Sequence, residues 1–201
     1  MLAVQSQVPA LHTPTTTTST TNASPPTPSL RNSWNKDEVT ITLLEDPSSV
    51  HASALSAWKS LFGAKASKPH PDHSTFKSTY SHPNGRLLVA STPTKEIAGI
   101  IAYRKYDGRF KQPELAFDAT AKVVEVVRLF VEPELRGQGI ATSLIKALVE
   151  RAREDEVDVM YLHTHPFLPG AQYLWEKEGW QVVVREEEEP WFTIHMRRDL
   201  V

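Results

Sequence analysis

Val39, Thr40, Ile41, Thr42 and Leu43 alternate strictly between apolar and polar, a period of two that predicts a first strand. The period changes after Asp46-Pro47, an N-cap followed by a first-turn proline. Leu55, Trp58, Leu61 and Phe62 then recur at helical spacing before Gly63. Residues 64 to 85 mix Lys, His, Ser and Pro without a period and predict a loop, with a short helix near Thr75 to Tyr80. Arg86 to Ser91 and Glu96 to Tyr103 are apolar runs separated by a turn at Pro93, a hairpin pattern. Residues 105 to 120 read as an exposed excursion. Val123 to Val131 is a strongly apolar strand, and Gly139 to Glu154 a helix with Ile140, Leu144, Ile145, Leu148 and Val149 on its inner face. Val157 to His163 predicts another strand and Gly170 to Lys177 a short helix. Gly179 to Arg185 and Trp191 to Met196 form a last hairpin whose tip is Glu186 to Glu189. No segment repeats, and strands interrupted by helices give a mixed α/β class built on one sheet.

Composition narrows the partners. The 201 residues, 40% hydrophobic and 23% charged, suffice for one domain with a core. Lys and Arg number 22 against 24 Asp and Glu, so the basic excess that phosphate-backbone binding needs is missing and no nucleic-acid partner is expected. The absence of cysteine excludes disulfides, thiolate nucleophiles and Cys-ligated zinc, and fits an intracellular protein. No apolar run approaches the ~20 residues of a membrane span, so a soluble protein without a membrane partner is expected. Residues 1 to 30 hold five of the 15 prolines, the tract Thr13 to Thr21 and no charged side chain. Such a composition predicts a disordered tail over residues 1 to 35 and a folded domain over 36 to 201. Neither a transit nor a signal peptide fits it, the first arginine being Arg31.

The chemistry concentrates in Glu125 to Ala141, where an apolar strand, a glycine-containing turn and an amphipathic helix follow one another directly. Gly137 and Gly139 allow close backbone approach, the N–H groups of the helix start converge, and the helix dipole favours negative charge there. Arg136 adds a positive charge. A diphosphate is the expected ligand. A nucleoside-triphosphate loop would need Gly-Lys-Ser/Thr, whereas Gly139-Ile140-Ala141 stands here; a dinucleotide fingerprint would need Gly or Ala where Thr142 sits and an acid where His163 ends the next strand.

The stretch resembles the GCN5-related N-acetyltransferase family, whose signature Arg/Gln-x-x-Gly-x-Gly/Ala is matched by Arg136, Gly139 and Ala141. The upstream Glu-x-x-Arg-Leu-aromatic-Val-x-Pro of Glu125 to Pro133 looks like that family's central strand. Ala171 to Trp180 is similar to its Ala-x-x-Leu-Tyr-Glu-Lys-x-Gly-Phe segment. Three matches in register, across roughly residues 38 to 197, carry the resemblance. It implies an α/β (α+β) fold: a single mixed, mostly antiparallel sheet of about seven strands with a central splayed parallel pair and helices on both faces.

By resemblance the co-substrate is acetyl-CoA, no metal is required, and the activity is transfer of the acetyl group to a primary amine by direct attack in a ternary complex. The acceptor would be a small molecule, a peptide or a protein lysine. The other reading is an acetyltransferase-like module that keeps CoA but catalyses weakly. Arg136, Gly137, Gln138, Gly139, Ile140, Ala141 and Thr142 would hold the pyrophosphate. Leu129, Phe130 and Val131 would line the pantetheine arm, with the Leu129 N–H polarising the thioester carbonyl. Glu125 stands where the family often has its base, on the same face as Val127, Leu129 and Val131 if the strand is regular; the structural alternative is an ion pair with a neighbour such as Arg128. Trp175 is expected among the cofactor-binding residues, at the position of the family's tyrosine acid, but has no such proton to give; the family's asparagine is missing from the loop Pro166 to Gly170. Tyr173, two residues from Trp175 and facing another side of its helix, is a candidate catalytic residue that cannot simply replace the missing acid; the other reading is a core or groove aromatic. His163 and His165 either line the acceptor pocket and shuttle a proton or are hydrogen-bonded loop histidines. As metal ligands with His70, His73 or His82 they lack a carboxylate or thiolate pattern. The glutamates 186 to 189 either draw a cationic amine or are solvated hairpin charge.

Overall fold

The computed structural model describes residues 38–50 and 74–201. The expected tail over 1–35 and the helix expected around Leu55 to Phe62 lie outside the described residues. The first strand, β1 (Thr40–Leu43), leads into a 3-10 turn at Pro47–Val50, where the Ser48 N–H donates to Asp46 Oδ1 at 2.9 Å, the capping role expected of that aspartate. A five-residue helix α1 (Phe76–Tyr80) precedes the hairpin of β2 (Gly85–Thr92) and β3 (Lys95–Lys105). Then come β4 (Val123–Val131), α2 (Ile140–Glu154), β5 (Val159–Thr164), α3 (Ala171–Lys177), β6 (Gln181–Arg185) and β7 (Ile194–Asp199).

These strands form one sheet of seven in the order β1-β2-β3-β4-β5-β7-β6. Every neighbour pair is antiparallel except β4 and β5. Strand alternation sends side chains to two cores. Leu88 and Ala90 of β2 join Leu144, Ile145 and Leu148 of α2 on one face, while Leu87 and Val89 join Phe76 and Tyr80 of α1 on the other. The inner face expected of α2 is buried throughout: Ile140, Leu144, Ile145, Leu148 and Val149 are each at most 2% exposed. Burial of such side chains contributes about 1.5–3 kcal/mol apiece, so this face of α2 is a main source of stability for the side of the sheet it covers. Among the described residues no helix is long and apolar enough to cross a membrane.

The segment expected to be an exposed excursion is only partly so. Residues 106 to 121 return across the end of the sheet: Leu115 is buried, and Tyr106, Phe110 and Phe117 gather around the ring of Tyr161 on β5, with centroids 4.8 to 6.2 Å from it. No hydrophobic period marks this return, because single aromatic anchors in an irregular segment leave none.

Candidate active site in the splay of the sheet

The parallel pair is short. β4 and β5 are in register only from Val123 opposite Val159 to Glu125 opposite Tyr161, and then part. β5 continues beside β7 from Val159 to Thr164, whereas β4 stays with β3. β4 also carries an extra residue: Ala102 of β3 faces Val127, but Ile100 faces Phe130. The insertion is a β-bulge at Arg128, whose φ is 64°. A left-handed non-glycine residue costs about 1 kcal/mol. Arg128 is held there by donating from Nε to the Tyr80 hydroxyl at 3.2 Å, with its guanidinium 5.4 Å from the Phe76 ring centre.

The bulge corrects an expectation. Glu125, Leu129 and Val131 do not share a face, because the inserted residue swaps sides beyond it: Leu129 and Val131 pack with Val124 and Val126 on the α2 side, and Val127 and Phe130 on the α1 side. The parting strands open a cleft of about 670 Å³. Leu129, Phe130 and Val131 line it from β4, and Leu162, His163, Thr164 and His165 from β5 and the loop after it.

Its other end is the start of α2. Gly137 and Gly139 adopt φ of 76° and 88°, and Gly139 N-caps the helix with no side chain folded onto it. The first helical bond runs from the Ser143 N–H to the Gly139 carbonyl at 3.0 Å. The N–H groups of Ile140, Ala141 and Thr142 therefore have no partner inside the helix, and all three residues line the cleft. Arg136 lines it too, anchored by Nε donating to the Val131 carbonyl at 2.9 Å. Three free donors, a helix dipole and a fixed guanidinium make an anion cradle suited to a diphosphate. Gln138 is not part of that surface; its side-chain amide donates to the Glu134 carbonyl at 3.3 Å.

Glu125 sits where the strands separate and is 0% exposed. Arg104 Nε and Arg109 Nη1 both approach its Oε2 at 2.9 Å, and Arg109 Nη2 donates to Oε1. His163 Nδ1 lies 3.2 Å from Oε1 without closing a hydrogen bond. Burial pushes the carboxyl up, but contact with His163, hydrogen bonding from Arg109 and the charges of Arg104 and Arg109 outweigh it, holding Glu125 well below the usual carboxylate range. The carboxylate is thus fully engaged by cations and is not among the residues that line the cleft. Its cation partners are Arg104 and Arg109, not Arg128. Arg104 is its register partner on β3, which the sequence could have signalled only through the strand pairing; Arg109 arrives from the irregular segment and left no signal.

His163, in contrast, lines the cleft with a side chain 28% exposed. His165 lines it as well and contacts the Trp191 carbonyl through Nδ1 at 3.2 Å, as a hydrogen-bonded loop histidine does. Behind them the imidazole of His195, a residue without a distinguishing motif, is fully buried. It lies 2.7 Å from the Tyr161 hydroxyl and 3.0 Å from Glu186 Oε1. Burial lowers the His195 pKa against the opposing pull of Glu186. Glu186 also accepts from Gln112, so the first glutamate of the hairpin tip is structural, and 187 to 189 are exposed.

Trp175 lines the cleft and is buried edge-on against Trp180, with centroids 5.0 Å apart. Tyr173 is 71% exposed and outside the cleft lining, so the structure places it neither in a core or groove nor beside the cleft where a catalytic residue would stand. No tyrosine lines the cleft among the described residues. Nor does any group of three His, Asp or Glu side chains among them stand ready to hold a metal ion.

The arrangement has relatives. The chain superposes on an acetyltransferase of the GNAT family from Staphylococcus aureus Mu50 with a TM-score of 0.61 at 18% identity, covering 81% of this chain and 100% of that one. It superposes on a protein from Acinetobacter baylyi ADP1 described as an acetyltransferase with a TM-score of 0.62 at 18% identity, covering 80% and 93%. A third, yncA from Salmonella typhimurium, described as an acetyltransferase and solved with its cofactor acetyl-CoA, gives 0.62 at 14% identity over 81% and 95%. At such identities these likenesses show a shared fold. No curated protein sequence matches the chain. The family model "Acetyltransferase (GNAT) family" matches residues 52–180, more than half of the chain. The cradle at the start of α2 and the splay beside it thus have a lineage: this chain belongs to the GNAT acetyltransferase family.

Proposed function

We propose that this protein transfers the acetyl group of acetyl-CoA to a primary amine, both substrates being bound together. The observation that carries the reading is a single cleft that joins the uncapped start of α2 to the splay of β4 and β5. The residues fit the carrier. Open space lies over Gly137, where an added Cβ would meet nothing within 4 Å, and the donors of Ile140, Ala141 and Thr142 with Arg136 suit its pyrophosphate. Beyond Glu125 the β4 edge has no strand partner on the β5 side, so its main-chain groups are available to the pantetheine amides. The acetyl-CoA held by the Salmonella relative supports the same choice of carrier.

Bound there, acetyl-CoA supplies an acetyl group activated as a thioester. The protein must supply a neutral amine, and deprotonating a lysine-like acceptor at pH 7 costs about 4–5 kcal/mol. His163 is the cleft-lining base for this. With Nδ1 turned toward Glu125, Nε2 is left to take the proton of the attacking amine. Glu125 acts as a positioning residue: its clamped carboxylate, 3.2 Å from Nδ1, favours a proton on that nitrogen. The bulge at Arg128 directs Leu129 toward the cleft, where its N–H serves the thioester carbonyl.

A second reading is a CoA-binding module with slow transfer, favoured by Trp175 at the position of the family's acid. A thiolate, of pKa about 8.5 in free cysteine, leaves tolerably without that acid, so transfer is expected to be slowed rather than lost. Incubation with acetyl-CoA and a panel of small amines and lysine peptides, read by free-thiol release, separates the two. Release well above the buffer rate with at least one amine supports the transferase; saturable carrier binding with no release supports the module.

A further inference from the structure

Among the described residues, no aspartate or glutamate lines the cleft; its charged and titratable lining groups are all basic. Arg136 stands at the cradle and Lys177 at the end of α3, while the splay has its own set: Arg104 of β3, Arg128 of β4, and His163 and His165 beyond them. Arg104 is only partly engaged. Its Nε donates to Glu125 Oε2 at 2.9 Å, but Nη1 and Nη2 make no hydrogen bond among the described residues, and the side chain is 22% exposed. The other oxygen of that carboxylate faces His163 Nδ1 at 3.2 Å. One buried carboxylate thus bridges the guanidinium and the imidazole, and both line the cleft, so a single small molecule can touch both. Arg128 adds a second guanidinium to this end, held against Tyr80 and Phe76.

Such a wall sorts acceptors by charge. It disfavours an amine that brings further positive charge and favours one that carries a negative group beside its nitrogen. We propose that the acceptor is an amino-acid-like molecule, a primary amine with a carboxylate a few bonds away, and that Arg104 binds this carboxylate through Nη1 and Nη2; the claim rests on the transferase reading above. A guanidinium fork matches the two oxygens of a carboxylate in spacing and charge. Anchored there, the acceptor presents its amine on the side of His163, whose Nε2 takes the proton. Polyamines, and lysine side chains flanked by other cations, suit this end of the cleft poorly.

The test measures thiol release by the full chain with acetyl-CoA and free amino acids, each paired with its carboxamide, alongside spermidine and a lysine peptide. At least one amino acid is expected to exceed its carboxamide in kcat/KM by about tenfold, the scale of one charge-assisted contact, and to exceed spermidine and the peptide as well. The carboxamide's amine is the easier of the two to deprotonate, so chemistry alone would favour the amide. In Arg104→Gln the ratio of acid to amide is expected to fall close to one through a raised KM for the acid, whereas a purely structural loss would lower both rates and leave the ratio. Arg104→Lys, which keeps a cation on Glu125 but loses the fork, should lower the ratio too and serves if the glutamine variant does not fold. Equal rates for acid and amide, a preference for spermidine or the peptide, or a ratio that the folded variants leave intact overturns the acceptor class while the transferase reading stands. Folded protein that binds acetyl-CoA and releases thiol with none of these amines overturns both.

Discussion

Glu125 decides more of this molecule than a single strand residue usually does. It is fully buried with two arginines upon it, and removing one partner of such a cluster leaves charge uncompensated. Glu125→Gln is expected to destabilise the fold by about 3 kcal/mol. The pH dependence has a definite sign. Because the native carboxyl lies below its unfolded value, its stabilisation is complete above the unfolded pKa of about 4.3 and is lost as pH falls toward the native value. Urea unfolding midpoints measured from neutral to acid pH should therefore fall more steeply for the native protein than for Glu125→Gln. Parallel curves would show that the cluster is not anchored on this carboxylate. On the proposed mechanism the imidazole next to it takes the proton of the amine: His163→Gln should lower the rate of thiol release by about 10²-fold while acetyl-CoA binding persists, and an unchanged rate would remove His163 from the mechanism. The sequence marked both residues and left Glu125 open between a base and a buried ion pair; the ion pairs are there, with Arg104 and Arg109 as the partners. A strand pattern gives the side on which a residue falls and not which charges reach it, and Arg109 reaches it from a segment with no pattern at all.

At the scale of elements, the long periodic segments were legible. The apolar run Val123 to Val131 and the helix of Ile140 to Glu154 stand where their patterns put them, the helix burying one face and the strand lying between two cores. The bulge was not. It sits on Arg128, a residue type that gives no turn signal, and is held by Tyr80 and Phe76 from a helix nearly fifty residues earlier in the chain, a tertiary cause invisible to local reading. The cradle was legible because glycine is nearly obligatory there. Gly137 adopts φ of 76° in open space, so the demand is on the backbone alone. Gly137→Ala should cost about 1 kcal/mol of stability, and Gly137→Asn less, because asparagine tolerates the left-handed region. Thermal unfolding of the two variants checks the order; equal losses would point to a steric cause instead.

In the whole molecule the irregular segment 106 to 121 ties distant parts together. Arg109 binds it to Glu125 in the middle of the sheet, and Gln112 binds it to Glu186 at the last hairpin, whose other contact is the buried His195. One arginine is thus shared between the stability of the sheet end and the setting of His163. Arg109→Ala should loosen the segment, seen as several-fold faster proteolytic cleavage between residues 107 and 120 under native conditions, together with a lower transfer rate. Cleavage at the native rate would mean that the aromatic contacts of Phe110 and Phe117 suffice to hold it. The central claim is that the start of α2 and the splayed edge of β4 hold acetyl-CoA in one cleft. The most direct measurement is a backbone amide spectrum recorded as acetyl-CoA is added. The account predicts saturable shifts concentrated at Gly137 to Thr142 and at Val127 to Val131. A folded protein whose amides at those positions do not respond, or respond less than those elsewhere, would contradict it.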